Sequence, residues 1–402
     1  MAEPLYCQYC LPTKRKSHWD LQVEYYMEKI RRTLLAPVDL AVDILMPNGD
    51  WLWEKILEFF GIFGLVKFVG DPPRTQIFNR SLIILDEAKK RGIEVEAIKI
   101  FGNFKNEYRF RLKNGSWRYF EANPLADEHR SLSDHKGGFK KLMEEHDVPV
   151  PEGHLFTRPR RASEFAKQIG FPVVVKPATG SLGYHSTYDI QNQNELKRAI
   201  EIAQIFRPDF IVERHIPGEN FRATVIGRKH VFVCGKDRSN VMGDGRSTIE
   251  ELIDQKNVDP RRGVHGQKNT TLHQIPKADE TLWANLQKQH LNFDSVLATG
   301  QKVYFFEDFV PGSGIDFINL TDQVHPENLQ LFLKAARALK TDLVGFDLIA
   351  EDLSRPYPEQ TFAMLEANSL PYLDLHQFPS HGEPADIAKI VWDITLANER
   401  KW

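Results

Sequence analysis

Residues 173–183 read Val-Val-Val-Lys-Pro-Ala-Thr-Gly-Ser-Leu-Gly. The β-branched run reads as a short buried strand that delivers Lys176 to its end. Thr179, Gly180, Ser181 and Gly183 then form a loop. Glycine lets a backbone approach phosphate closely, and free N–H groups and hydroxyls can donate to its oxygens. The Gly-Lys-Ser/Thr ending of a Walker loop is missing. The stretch is therefore a phosphate cover of another kind, or an ordinary turn after a strand.

Two further stretches set the context. In residues 211–222, IVERHIPGENFR, a strand ends at Glu213 and a turn follows at Pro217-Gly218. A carboxylate there can accept from an adenine amino group or from ribose hydroxyls, and the backbone at Arg214 and Ile216 can read a base edge. An edge strand with a plain turn is the other reading. Residues 345–350, GFDLIA, and 364–368, MLEAN, form two late strands. Glu366 and Asn368 share one face of their strand. With Asp347 from a neighbouring strand they make a set of oxygen ligands suited to Mg²⁺ and phosphate. Asp347 lies in an apolar pattern, where an unpaired charge is costly, and this favours a ligand role over a solvated one.

Around these stretches the pattern alternates helix and strand. Residues 19–35 have helical spacing, after a basic cluster at Lys14, Arg15 and Lys16. Residues 38–46 read as a strand. Residues 80–91 read as a helix stopped by Gly92, and 93–100 as a strand, the rhythm of a parallel sheet with covering helices. Residues 108–112 and 117–121 read as a hairpin across Asn114-Gly115. A capped helix covers 133–148, a hairpin around Gly227 covers 221–234, and a loop runs over 235–248. The next helix starts near Ser247-Thr248, with Glu250 as a possible capping partner. A second glycine loop lies at 311–316, and residues 327–341 form a helix. The expected divisions are an extension at 1–35, an α/β unit at 36–132, a central lid at 133–212 and a carboxy-terminal domain at 213–402.

The composition excludes several classes. The 402 residues carry a net charge of −3 and 42 % apolar residues, which gives no general reason to expect nucleic acid or an anionic membrane as partner. The longest strongly apolar run, 59–66, falls far short of the roughly 20 residues that span a bilayer. No signal peptide is evident at the start, so the expected location is the cytoplasm. Cys7 and Cys10 form an isolated C-x-x-C without the further ligands of a zinc site, and read as reduced thiols. His185, His215, His325 and His376 show no metal-ligand spacing.

Taken in order, these stretches resemble the ATP-grasp superfamily, most nearly the ATP-grasp module of cyanophycin synthetase. The resemblance rests on DHKGGFKKLMEEHDVPVPEG, VVVKPATGSLG, VERHIPGENFR, VMGDGRSTIEELID, NVDPRRG, TDQVHPEN, FDLIAED and LEANSLP, and spans about residues 132–395. It implies an α/β (α+β) fold in which ATP lies between a lid and a carboxy-terminal domain with an antiparallel sheet. It also implies an ADP-forming ligase that joins a carboxylate to an amine through an acyl phosphate.

Matched residue by residue, Lys136 and Lys176 reach the ATP phosphates, and Thr179, Gly180, Ser181 and Gly183 cover them. Glu213, Arg214 and Ile216 meet adenine. Asn220 stands where the family has a ribose-binding acid, with Glu219 as a substitute. Asp347, Glu366 and Asn368 hold magnesium, two ions in the family pattern, with manganese able to stand in. Arg222 lies near the γ-phosphate and could stabilise an oxyanion, with Arg238 as a second candidate or as a clamp for a substrate carboxylate. Residues 243–246, GDGR, read as a loop over the site. The implied substrates are an amino acid, a short peptide or a small acid, with a homo-oligomer as a candidate assembly. Cyanophycin synthetase carries further ligase modules that are not matched here, which suggests a single-addition enzyme. A phosphotransferase on the same fold, or a nucleotide-binding partner protein with weak turnover, are the alternatives.

Overall fold

A computed structural model describes residues 18–30, 49–126, 134–181, 183–264, 266–306, 309 and 312–399. The strand expected at 38–46, the Cys7–Cys10 pair and the Lys14–Lys16 cluster lie outside them, as does part of the 311–316 loop. In chain order the elements begin with α1 (Trp19–Ile30), α2 (Gly49–Ile62), β1 (Val66–Val69), α3 (Asn79–Lys90), β2 (Val95–Ile100), β3 (Asn103–Arg111) and β4 (Trp117–Glu121). Then come α4 (Lys136–Glu145), β5 (Gly153–Phe156), α5 (Pro159–Ile169), β6 (Val173–Pro177), β7 (Thr187–Ile190), α6 (Gln193–Phe206) and β8 (Phe210–Arg214). The second half holds β9 (Glu219–Ile226), β10 (His230–Asp237), β11 (Asn240–Met242), α7 (Ile249–Asn257), β12 (Arg262–Gly263), β13 (Leu272–His273), α8 (Glu280–Lys288) and β14 (Lys302–Tyr304). It ends with β15 (Asp316–Asn319), α9 (Pro326–Leu339), β16 (Leu343–Ala350), β17 (Phe362–Asn368), α10 (Asp374–Gln377) and α11 (Ile387–Glu399).

The first sheet runs β1-β2-β3-β4, and every pairing in it is antiparallel. This corrects the parallel sheet expected from the helix-glycine-strand rhythm. A helix between two strands permits a parallel crossover without imposing one. The turn at Phe101-Gly102, with φ 46 and 83, joins β2 to β3 too tightly for anything but antiparallel neighbours. The Asn-Gly hairpin is present, with Arg111 opposite Trp117.

The sheet of the central unit, the expected lid, runs β5-β8-β6-β7. Its core packs Val173, Val175, Phe210 and Val212 against Ala162, Ala166, Leu196 and Ile200 of α5 and α6. β8 carries Glu213 and Arg214 past the boundary expected at 212. Residues 136–148, expected within the lid, instead pack on the largest sheet: Phe139, Met143 and Val148 share its core. The spacing of those residues defines an apolar stripe but not its partner.

That largest sheet runs β15-β10-β9-β16-β17. On one face Phe221, Ala223, Val225, Val344, Phe346 and Leu348 pack against α4 and α9. The opposite face is covered at one end, where Ile226 and Leu343 meet Ile387, Val391 and Trp392 of α11. The same cluster includes Ile83, Ile84 and Ala88 of α3, and Trp392 Nε1 donates to Ile84 O at 2.9 Å. The first unit and the last helix therefore share a core.

A compact insertion lies between β10 and β15. Part of the loop expected over 235–248 is strand, since β10 runs to Asp237 and β11 pairs with β14. α7 starts with a reciprocal capping box between Thr248 and Glu251. Glu251 replaces the expected Glu250 because it stands third in the helix; Glu250 reaches Lys277 at 3.0 Å instead.

Candidate active site

One row of residues crosses the largest sheet. Asn319, Cys234, Arg222, Asp347 and Glu366 stand opposite one another in successive strands. Opposite residues in an antiparallel ladder share a face, so these side chains lie side by side on the face away from α9. A bulge places the last of them. Asp347 pairs with Glu366 but Leu348 pairs with Met364, leaving Leu365 unmatched. Asn368, two residues on, shares the face of Glu366.

Cations surround these carboxylates. Arg222 Nη2 donates to Asp347 Oδ2 at 2.7 Å, Lys236 Nζ to Asp347 Oδ1 at 2.5 Å, and Asn368 Nδ2 to Asp347 Oδ2 at 3.2 Å. Burial pushes the Asp347 pKa up, but Arg222 and Lys236 outweigh it and hold the carboxyl at about 2. Lys136 Nζ lies 3.1 Å from Glu366 Oε2. The Lys136 backbone N–H donates to Ala178 O at 3.3 Å, which ties the start of α4 to the start of the loop after β6.

Gly345 explains how Arg222 fits. A Cβ there would lie 2.6 Å from Arg222 Nη1 and 2.8 Å from Pro371 Cβ, so the guanidinium crosses directly over the glycine. Arg222 Nε and Nη1 are buried without a partner. One step further along the face, His376 Nε2 meets Thr224 Oγ1 at 2.8 Å. Burial pushes the His376 pKa down to about 3, which keeps the ring neutral. Cys234 is fully buried and its pKa is pushed up to about 11, so it remains a thiol.

The lid contributes a second cluster. Lys176 Nζ lies 2.6 Å from Glu213 Oε1, and Lys140 Nζ lies 3.0 Å from Glu213 Oε2 while donating to Pro151 O. Glu213 is 2 % exposed. Burial opposes its charge, yet Lys176 and Lys140 bring its pKa below the ordinary value. Lys176 ends above its ordinary value, because Glu213 outweighs burial and Glu366 adds to it. For Lys140 burial wins and the pKa is lowered. Glu213 Oε2 is buried and takes no aligned hydrogen bond, so it retains acceptor capacity. The influence of Glu366 on Lys176 links the lid cluster to the sheet-face row.

Lys136, Lys176, Glu213, Arg222, Asp347, Glu366 and Asn368 thus fall into two adjoining clusters. Thr179 Oγ1 accepts from Arg207. Gly180 and Gly183 have φ 69 and 86, and Ser181 is buried. Arg214 donates to Glu152 at 2.8 Å. Asn220 shares the face of Arg222, opposite Ile349. Strand alternation puts Glu219 on the other face, which corrects its role as the substitute for a ribose-binding acid. Arg238 lies over the Tyr304 ring at 4.4 Å, in the insertion, while Lys236 takes the place beside Asp347. Lys140 and Lys236 were missed by sequence reading. Lys140 sits one helical turn after Lys136, on the same face, and Lys236 sits two residues after Cys234, on the face of the Asp347 row.

The donor set suits a hard cation: two carboxylates, one of them held ionised, and an amide oxygen on one face. Among the described residues no three His, Cys, Asp or Glu side chains converge as a metal site, so phosphate oxygens and water would have to complete it. An open cleft of about 500 Å³ lined by Asp86, Glu87, Lys89, Lys90 and Gln377 shares no residue with either cluster. No helix among the described residues is long and apolar enough to cross a membrane.

Comparison with known proteins places this geometry. The family described as D-ala D-ala ligase C-terminus matches residues 142–248. A cyanophycin synthetase of Trichormus variabilis is 30 % identical over 79 % of this chain and 35 % of its own length. A glutathione biosynthesis bifunctional protein of Clostridium perfringens is 31 % identical over 83 % of this chain and 42 % of its own. The crystal structure of a bifunctional glutathione synthetase from Pasteurella multocida superposes with a TM-score of 0.63 at 25 % identity, over 81 % of this chain and 45 % of that one. The chain spans less than half the length of each of these relatives.

Proposed function

Because the chain belongs to the ATP-grasp superfamily, we propose that it is an ATP-dependent, ADP-forming ligase that joins a carboxylate to an amine. The observation that carries this reading is Glu366, which meets Lys136 at 3.1 Å and acts on Lys176 from the lid. Two lysines from different elements and an acidic row from the sheet face thus converge where a triphosphate would need both charge neutralisation and metal ligands.

A carboxylate is a poor electrophile because its leaving group would be an oxide. Attack of its oxygen on the γ-phosphorus releases ADP and makes an acyl phosphate, whose leaving group is phosphate. Lys136 and Lys176 bind and orient the phosphate oxygens. Asp347, Glu366 and Asn368 would hold one or two magnesium ions, which supply charge neutralisation on those oxygens. An amine then attacks the carbonyl carbon, phosphate departs and the nitrogen loses a proton. Arg222 has two buried donors without partners, suited to the oxyanion of that tetrahedral stage. Glu213 Oε2, with the backbone at Arg214 and Ile216, faces adenine, and Asn220 takes the ribose. Amino acids, short peptides and small acids are the substrate class.

The test is ADP and phosphate release from Mg-ATP over pooled acids and amines, with mass spectrometry of the products. Release that needs both an acid and an amine, with a product lighter than their sum by one water, supports the ligase. A phosphorylated product that needs no amine would replace it with a phosphotransferase.

A further inference from the structure

Helix α1 touches the lid at both ends of the loop that follows β6. At the start of the loop, buried Arg207 donates to Thr179 Oγ1 and pairs with Asp209. The same guanidinium lies 3.9 Å from Glu28 Oε2 and 5.7 Å from the centre of the Tyr25 ring. One turn earlier, Gln22 Nε2 donates to Gln204 O at 3.0 Å, at the end of α6. At the far end of the loop, His185 has φ 60, a left-handed backbone that is strained for a residue with a Cβ. Its ring Nδ1 lies 2.9 Å from Ile202 O, and the ring packs against His18 at 4.9 Å and Phe206 at 5.3 Å. Residues 18, 22, 25 and 28 form one stripe along the helix.

We propose that α1 is a clamp on the lid, with Arg207 as its positioning residue, and that it sets the affinity for a nucleoside triphosphate by holding residues 179–181 and 183–187 in their phosphate-ready shape. The clamp rests on the reading of that loop as a phosphate cover. Gly180, Gly183 and His185 all take positive φ, so the free loop would have many shapes to lose on binding. Contacts that restrict it beforehand remove that loss from the binding step. Nucleotide affinity then depends on a helix more than a hundred residues upstream of the ATP-grasp strands.

The test compares Gln22→Ala with Glu28→Ala as a double variant, Arg207→Ala, Arg207→Lys and, in parallel, Lys176→Ala. Mg-ATP affinity is measured by calorimetry, and amide exchange at 179–187 is measured in nucleotide-free protein. The double variant and Arg207→Ala should each exchange faster at 179–187 with 173–177 unchanged, and bind Mg-ATP about tenfold more weakly, as for one lost charge-assisted hydrogen bond. Arg207→Lys should recover part of both effects. Unchanged loop exchange in the double variant overturns the clamp, as does faster exchange with unchanged affinity while Lys176→Ala binds weakly. If Lys176→Ala also binds normally, it is the phosphate reading that fails, and loop exchange still decides whether α1 restrains the loop.

Discussion

Glu366 stands opposite Asp347 because Leu365 is the extra residue in its strand. Counting back from Leu348 and Met364 without that bulge would put Glu366 opposite Phe346, on the core face beside Phe139. A one-residue slip moves a side chain to the other face of a sheet. The bulge therefore turns a buried strand end into a pair of adjacent carboxylates.

Glu366→Gln should keep the fold and lose turnover by about a hundredfold or more, the scale seen when one group that meets transition-state charge is removed. Melting temperature and steady-state rate at saturating magnesium check this together. A near wild-type rate would sink the assignment of Glu366 to the reacting phosphate.

Deleting Leu365 should spare the carboxylate pair. With Met364 still opposite Leu348, Glu366 follows directly opposite Asp347 and keeps its face. Turnover should therefore survive the deletion better than it survives Glu366→Gln, and steady-state kinetics check this. A deletion variant as inactive as Glu366→Gln would mean that the bulge itself shapes the site.

Lys140→Met would leave Glu213 with one cation in a site that is almost closed to water. Removing one partner of a buried pair costs about 3–5 kcal/mol, so chemical denaturation should show a loss on this scale. A loss within 0.5 kcal/mol, the usual range for surface changes, would show that Lys176 alone suffices.

Gly345→Ala places a methyl group 2.6 Å from Arg222 Nη1. The guanidinium must move, and overpacking costs about 1–3 kcal/mol. Turnover should fall with Mg-ATP affinity largely kept, because the Lys176–Glu213 cluster is untouched. Kinetics that match the wild type would remove Arg222 from the reaction.

His376 predicts a pH dependence. Its pKa is about 3 in the folded protein against an ordinary 6.5, so the folded state takes its proton less readily. Its contribution to stability is full above about pH 6.5 and is lost as pH falls from there toward 3. His376→Asn should flatten the fall in melting temperature over that window. An unchanged slope would assign the acid sensitivity elsewhere.

The order of strands and loops made most of this architecture legible in the sequence, and it brought Lys136, Lys176, Glu213, Arg222 and the Asp347–Glu366–Asn368 set into view. Local pattern does not name a partner, however. The stripe on α4 could have faced the lid, and packs on the large sheet instead. The β1–α3–β2 rhythm permits either strand direction, and the pair is antiparallel; only the β2–β3 direction is forced by a tight turn. Lys140 and Lys236 have no signal of their own in the sequence, and only their neighbours place them against Glu213 and Asp347. Glu219 lost its role to simple alternation, which a count from Arg222 would have revealed.

The hydrogen bond from Trp392 to Ile84 joins residues 308 apart in the chain. At about 5–20 residues per second, a ribosome takes roughly 15–60 s to make the interval between them. For that time the apolar face of α3 is out of the ribosome without the helix that finally covers it. The newborn first unit must therefore wait, with Ile83 and Ile84 uncovered, until α11 has been made. Chaperone dependence during translation would be set there, at the seam between the first unit and the last helix, and not in the lid, whose core is complete within one continuous stretch.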